Sequence, residues 1–249
     1  MTKEKKKMAM IILPTYNEKE NIQQLIHEIL SLPLNFELSI LVVDDNSPDG
    51  TGEIVQALAE RERRIQLLVR KKERGRGAAV IDGFKEALRL KADFMIEMDA
   101  DFSHQPQFIP LLLKHCERYD LVIGSRFIKG GKDQDRTILR KLITLLAIKF
   151  VRSQLRLPVK DVNSGFRCFK RNVLERIDLD GLISIGPSLV QEMLYKSFLM
   201  NFRIREVPIV FIDRRQGKTK LNLLTLIKTL IMVLKFKKLY SRDNLKERA

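Results

Sequence analysis

The chain reads as an α/β protein built on a doubly wound, mainly parallel sheet, and three observations predict it. Short apolar runs alternate with stretches of helical spacing through the first half. Each apolar run stops at a cluster of polar or turn-forming residues. A composition of 45% hydrophobic and 31% charged residues over 249 positions fits one sizeable globular domain. Strands that alternate with helices of this length join in parallel through right-handed crossovers, and ligands bind beyond the strands' carboxyl ends.

Met10 to Leu13 (MIIL) reads as a buried strand ended by Pro14. Ile22, Leu25, Ile26 and Ile29 then recur at helical spacing within 18–30. Leu38 to Val43 (LSILVV) is a second strand, stopped by DDNSPDG, and leads into a helix over 53–63 and a third strand over 65–69. Gly75, Gly77 and Gly83 surround the start of a helix over 78–90, and a fourth strand over 93–98 ends in MDADFSHQP. A fifth strand follows at 121–124. Beyond residue 126 the alternation weakens into a Gly-Gly loop, a long helix over 137–155, the segment DVNSGFRCFKR, and one strand or a strand pair over 203–212.

The rule for ligands in parallel sheets places PTYNE, DDNSPDG and DADFS along one crevice. The pair Asp99 and Asp101 is the most informative feature there. A helix N-cap beside a solvated carboxylate is the plainer reading. Ionised carboxylates at the end of an apolar run are costly unless paired or metal-bound. Alternate residues of a strand point the same way, which suits a hard divalent cation such as Mg²⁺ or Mn²⁺ that also takes phosphate oxygens. Ser103 is a further oxygen that could meet such an ion. His104, next to Gln105 and Pro106, reads as a turn residue or a supporting donor.

The glycines of ERGRGAAVIDG follow a basic loop rather than the first strand, which excludes a dinucleotide fingerprint and leaves a tight turn and close helix packing. The cluster Arg214, Arg215, Lys218 and Lys220 around Gly217 reads as a phosphate-gripping loop or a solvated basic run.

The balance of 46 Lys and Arg against 31 Asp and Glu gives +15 and favours an anionic partner: nucleic acid, a membrane surface or a phosphorylated substrate. Aromatic residues do not interleave with the basic runs, which argues against nucleic acid. No apolar run approaches the roughly 20 residues needed to span a bilayer, and 221–234 is cut by Lys228. The segment after 222 places Leu223, Leu226, Ile227, Leu230, Ile231 and Leu234 at helical spacing beside Lys228, Lys235, Lys237 and Lys238. Such a basic amphipathic helix fits either a docked core element or an anionic membrane surface. Residues 1–222 thus form the expected catalytic domain and 223–249 a basic helix and tail. Cys116 and Cys168 show neither metal nor redox spacing, so a reducing cytoplasm is expected.

Taken together, PTYNE, VVDDNSPDGT, RGRGAAVIDGF, MDADFSHQP, VIGSRF, the Gly-Gly loop, NSGFRCFKR, QEMLYK and FIDRRQGKTK resemble the polyprenol-phosphate (dolichol-phosphate) mannose synthases. These are inverting family 2 glycosyltransferases with a GT-A fold. The resemblance runs in order over about residues 8 to 222. It implies a GDP-mannose donor, a divalent metal, a polyprenyl or dolichyl phosphate acceptor, and work at the cytoplasmic face of a membrane, with room for an accessory membrane subunit. By motif position, Pro14, Tyr16, Glu18, Val43 and Asp45 would line the nucleotide, and Asp99, Ala100 and Asp101 the metal and diphosphate. Asp101, Arg126 and Arg140 would serve catalysis; Arg126, Arg140 and Thr144 would hold the acceptor phosphate. Arg214 and Lys220 would close over the donor phosphates. Some members have a glutamine metal ligand where this chain has Ser103. UDP-glucose or another nucleotide sugar on the same acceptor is the alternative donor.

Overall fold

The computed structural model describes residues 6–71, 74–134, 137–184, 186–213 and 223–240. The first half alternates as expected: β1 (Met8–Thr15), α1 (Lys19–Leu30), β2 (Glu37–Asp44), α2 (Thr51–Ala59), β3 (Ile65–Val69), α3 (Arg76–Arg89) and β4 (Phe94–Glu97). A 3-10 turn at Pro106–Phe108 runs into α4 (Ile109–Cys116), followed by β5 (Leu121–Ser125), β6 (Lys132–Gln134) and α5 (Ile138–Leu155). The remainder comprises β7 (Arg167–Lys170), α6 (Arg171–Arg176), α7 (Leu189–Leu199), β8 (Ile204–Pro208), β9 (Val210–Ile212) and α8 (Leu223–Leu239).

Seven strands form one sheet in the order β3-β2-β1-β4-β7-β5-β8. Every pairing is parallel except those of β7, which runs antiparallel to both neighbours. The reversal has a consequence for function. A parallel strand delivers its following loop to the carboxyl edge of the sheet, whereas β7 delivers its preceding loop, residues 161–165, to that same edge. Glu97 at the end of β4 faces Arg167 at the start of β7. A small parallel pair, β6 and β9, stands apart from the main sheet.

Both faces of the sheet are covered, so its central strands β1, β2 and β4 are largely apolar. Period-two alternation divides them: Ala9, Ile11 and Leu13 pack with Ile22, Leu25, Ile26 and Ile29 of α1, while Met10 and Ile12 pack on the other face with α3, α5 and α7. Gly83 lets α3 lie close to that face. A Cβ there would come within 2.6 Å of an Ile12 methyl and 3.0 Å of a Val43 methyl, so the close-packing reading of this glycine holds.

Helix α8 docks through a stripe different from the one its leucines suggested. Val233, Phe236 and Tyr240 are buried in the core shared with α5 and α7, while Ile227, Ile231 and Leu234 are exposed. Tyr240 donates its hydroxyl hydrogen to buried Glu192, whose carboxylate also accepts from the N–H groups of Ile183 and Ser184 at 2.9 Å. Among the described residues, no helix is long and apolar enough to cross a membrane.

Candidate active site

The loops after β1, β2 and β4 meet at one edge because these strands are parallel neighbours. Backbone-to-side-chain bonds tie them together. Asn17 N–H donates to Ser47 Oγ (3.0 Å) and Glu18 N–H to Thr51 Oγ1 (3.0 Å). Gly75, at the N-terminus of α3, donates its N–H to Asp45 Oδ2 (2.8 Å). The three motifs expected to share a crevice thus lie along one edge of the sheet.

The aspartate pair sits differently from the strand-end geometry expected of it. β4 ends at Glu97, and Asp99 and Asp101 lie in the turn beyond it, where Phe102 takes a left-handed φ of 60°. The turn, rather than strand alternation, orients the carboxylates. Both remain half-exposed. Ser103 is buried and donates its N–H (3.1 Å) and its Oγ–H (2.6 Å) to Asp101 Oδ1. His104 is also buried: its Nδ1 accepts the Asp99 N–H at 2.9 Å, its ring stacks on Phe166, and its backbone bridges to Phe211. Burial pushes its pKa down; at Nδ1 it accepts, where the sequence reading expected a turn residue or a supporting donor.

Arg76 is the main residue here that the sequence reading did not single out. It opens α3 and reaches Asp99 through Nε (2.8 Å) and NH2 (2.7 Å) and Glu97 through NH1 (2.8 Å). Glu97 is fully buried. Burial raises its pKa, and the charges of Arg76 and Arg167 oppose that rise. The Arg76 guanidinium, although burial lowers its pKa, ends above the usual arginine range because Asp99 and Glu97 face it. Gly165, in the NSG turn, makes room for it: a Cβ there would stand 2.6 Å from Arg76 NH2. An arginine flanked by glycines at a helix start, together with a glycine before a strand, was the available signal.

The residues expected to line the nucleotide divide into groups facing the edge and groups facing the core. Asp45 is buried and paired with Arg70, which also binds Asp82 at 2.7 Å. The hydroxyl of Tyr16 accepts from Arg74 NH1 at 2.7 Å, and the guanidinium lies 4.7 Å from its ring centroid. Glu18 precedes α1 and accepts from Asn21 at 2.9 Å. Pro14 is half-buried near the end of β1. Val43 and Ala100 bury their side chains in the two cores, so only their backbones are placed to meet a ligand. A cleft of about 420 Å³ between α2 and β3, lined by Asp44, Gly52, Glu53, Gln56, Leu67 and Val69 among others, includes none of these predicted residues.

On the far side, Arg126 follows β5 and is clasped by fully buried Asp161, Nε to Oδ2 and NH2 to Oδ1, each at 2.8 Å. Burial alone would raise the Asp161 pKa, but hydrogen bonds from Arg126 hold it below the usual value. Arg167, wholly buried, donates to the carbonyls of Ser164 (2.7 Å), Val162 (3.0 Å) and Val190, and burial pushes its pKa down to about 10. It pins the turn that carries Asp161. Arg140, on the first turn of α5, is exposed and pairs with Asp213 at 3.1 Å. Thr144 lies one turn further along and is half-buried. Arg214 and Lys220, with the rest of the basic cluster, lie outside the described residues.

Residues 10–178 match the family described as "Glycosyl transferase family 2". Three similar proteins are the undecaprenyl-phosphate mannosyltransferase of Micrococcus luteus, the polyprenol monophosphomannose synthase of Mycolicibacterium smegmatis, and the dolichol-phosphate mannosyltransferase of Pyrococcus furiosus. The first is 37% identical over 86% of this chain and 87% of its own. The second is 35% identical, with 86% and 81% covered. The third is 38% identical over 85% of this chain and 58% of its own. Among solved structures, glucosyl-3-phosphoglycerate synthase of Mycobacterium tuberculosis in complex with Mn²⁺, UDP and phosphoglyceric acid superposes with a TM-score of 0.70 at 19% identity, over 95% of this chain and 80% of that one. The same enzyme with Mg²⁺ and UDP gives 0.69 at 17% identity, over 95% and 81%. This likeness carries the GT-A fold. The chain belongs to glycosyl transferase family 2.

Proposed function

We propose that the chain transfers mannose from GDP-mannose to a polyprenyl phosphate of the dolichyl or undecaprenyl kind, giving polyprenyl-phosphate mannose with inversion at the sugar. The observation that carries this reading is identity of 35–38% with three proteins named for mannosyl transfer or phosphomannose synthesis on such lipids.

The chemistry of the crevice agrees with it. A lipid monophosphate has a second pKa near ~6, so at neutral pH the acceptor is already an anionic nucleophile and needs no general base. What the protein must supply is position and compensation of charge. Two half-exposed carboxylates in one turn are what a hard divalent ion takes when substrate phosphate oxygens complete its shell, so Asp99 and Asp101 fit Mg²⁺ or Mn²⁺. Ser103 supports Asp101 from behind and offers its own oxygen to the ion. Bound there, the ion would offset charge on the leaving diphosphate.

The nucleotide lies along Pro14, Tyr16, Glu18, Asp45 and the backbones of Val43 and Ala100. Arg126 joins Arg140 and Thr144 on the acceptor phosphate, and Arg214 and Lys220 close over the donor. The enzyme sits peripherally on the cytoplasmic face of a membrane, held by its basic α8 to anionic lipid, where an accessory membrane subunit would join it.

Purified protein incubated with labelled sugar nucleotides and polyprenyl phosphate in vesicles tests this. Mannose transfer from GDP-mannose, lost on chelation and in Asp101→Ala, is expected. Transfer from UDP-glucose instead, transfer unaffected by chelator, or DNA binding without any transfer would overturn it.

A further inference from the structure

The reversed strand β7 brings its preceding turn, residues 161–165, to the carboxyl edge of the sheet. There the turn stands between the loop after β4, which carries Asp99 and Asp101, and the loop after β5, which carries Arg126. Helix α7 starts at the same edge, because it leads into β8, which runs parallel to β5. Arg167 fastens turn and helix together: it donates to the carbonyls of Val162 and Ser164 in the turn and of Val190 in α7.

Four of the five turn residues are buried, and Asn163 is half-exposed. Its Oδ1 accepts from Gln191 Nε2 at 2.6 Å. Gln191, in the first turn of α7, is 3% exposed, and its own Oε1 is buried with no hydrogen-bond partner among the described residues. A buried acceptor without a partner destabilises a fold, so an apolar side chain at 191 would serve the core better. What the glutamine secures is one orientation of the Asn163 amide, in which Oδ1 is occupied and the Nδ2 hydrogens are the groups offered to a ligand oxygen.

Position selects the ligand. In the proposed transfer, the bond from C1 of the hexose to the donor diphosphate breaks as a bond from C1 to an acceptor phosphate oxygen forms on the opposite face. The hexose therefore lies between the diphosphate, on the β4 side with Asp99 and Asp101, and the acceptor phosphate, on the β5 side with Arg126. The strand between β4 and β5 is β7, so the 161–165 turn is what the hexose faces. Gly165 in that turn also abuts Arg76, the partner of Asp99.

We propose that Asn163 determines sugar specificity by donating from Nδ2 to a hydroxyl oxygen of the transferred hexose, and that Gln191 is the positioning residue that aims it. This rests on the transfer reading above and adds the group that recognises the sugar rather than its phosphates. A neutral amide donor suits a hydroxyl, whereas the phosphates call for cations.

GDP-mannose and its four monodeoxy analogues, each with Mn²⁺ and polyprenyl phosphate, test it. Wild type should lose about 10- to 100-fold in kcat/KM on one analogue, the one lacking the hydroxyl that Asn163 meets. Asn163→Ala should lose about as much on GDP-mannose itself, yet turn over that analogue as wild type does, with its Kd for GDP within about twofold of wild type. A purely structural residue would lower every substrate alike. Gln191→Met should lower kcat/KM for GDP-mannose about fivefold or more and blunt the discrimination at the same hydroxyl, again with GDP binding retained. If Gln191→Met fails to fold, Asn163→Ala, which alters a half-exposed turn residue, decides. Discrimination by Asn163→Ala as sharp as that of wild type at every hydroxyl would overturn the proposal. So would an equal loss of affinity for GDP and GDP-mannose. Either outcome leaves the transfer reading intact, whereas a wild type that transfers no sugar at all would sink that reading and this inference with it.

Discussion

The two sides of the crevice are built to opposite rules. On the proposed donor side, charges are paired inside the protein: Asp45 with Arg70, and Glu97 and Asp99 with Arg76. The loops there are tied by backbone bonds across three strands. On the proposed acceptor side, Arg140 is exposed and pairs with half-buried Asp213, and the first half of α5 holds leucines in water. A nucleotide sugar is small, charged and reaches the protein from solution, so a pre-set cradle of fixed charges lowers its ordering cost. A lipid phosphate stays in its bilayer, so under the proposed function the acceptor side would carry the protein to it. Arg126, proposed for the acceptor phosphate, departs from that contrast: it is buried and clasped by Asp161.

The largest expected effect tests the donor side. Asp99→Asn/Asp101→Asn should lower transfer by about 10³-fold or more, measured as labelled mannose in the lipid phase. Next comes Asp161→Ala, which strands Arg126 as a buried unpaired charge; urea denaturation at neutral pH should show a loss of about 3–5 kcal/mol. The pH dependence follows from the sign of the shift. The folded pKa of Asp161 lies below its ordinary value of 3.8, so its contribution is fully present above that pH and is lost as pH falls through the folded pKa. An Asp161→Asn variant should therefore show a flatter fall in melting temperature on acidification than wild type.

Arg76→Gln should reduce transfer about 100-fold and also lower stability, because Glu97 stays buried without its nearer cation. Gly83→Ala should cost about 1–3 kcal/mol in denaturant by driving a methyl into Ile12, with little effect on the transfer rate of the folded fraction. The smallest structural effect belongs to the acceptor side. Arg140→Ala should change stability by no more than about 1 kcal/mol, while raising the KM for lipid acceptor and leaving that for GDP-mannose unchanged.

The same division explains what the sequence made legible. β1 to β4 are apolar runs ended by turn residues, and each survives within a few positions, with their loops at one edge of the sheet. α1 buries the four residues its spacing selected. β7 was not legible: four residues, RCFK, are too few for periodicity, and only its pairing between β4 and β5 makes it a strand. Arg76 was hidden because its partners lie 21 and 23 positions away and meet it only through the fold. Asp99 and Asp101 were found by residue type, yet the strand geometry assigned to them was replaced by a turn, because β4 stops at Glu97. For α8, the apolar spacing was read correctly as amphipathic, but which stripe docks depends on Val233, Phe236 and Tyr240 meeting α5 and α7, a tertiary choice.

The measurement that bears most directly on this contrast is equilibrium binding of GDP-mannose with Mn²⁺ in vesicle-free buffer. The account predicts the same Kd for wild type and for Ile138→Gln/Leu142→Gln/Leu146→Gln, and loss of binding in Asp99→Asn/Asp101→Asn. Donor binding that requires vesicles, or that survives removal of both carboxylates, would contradict it.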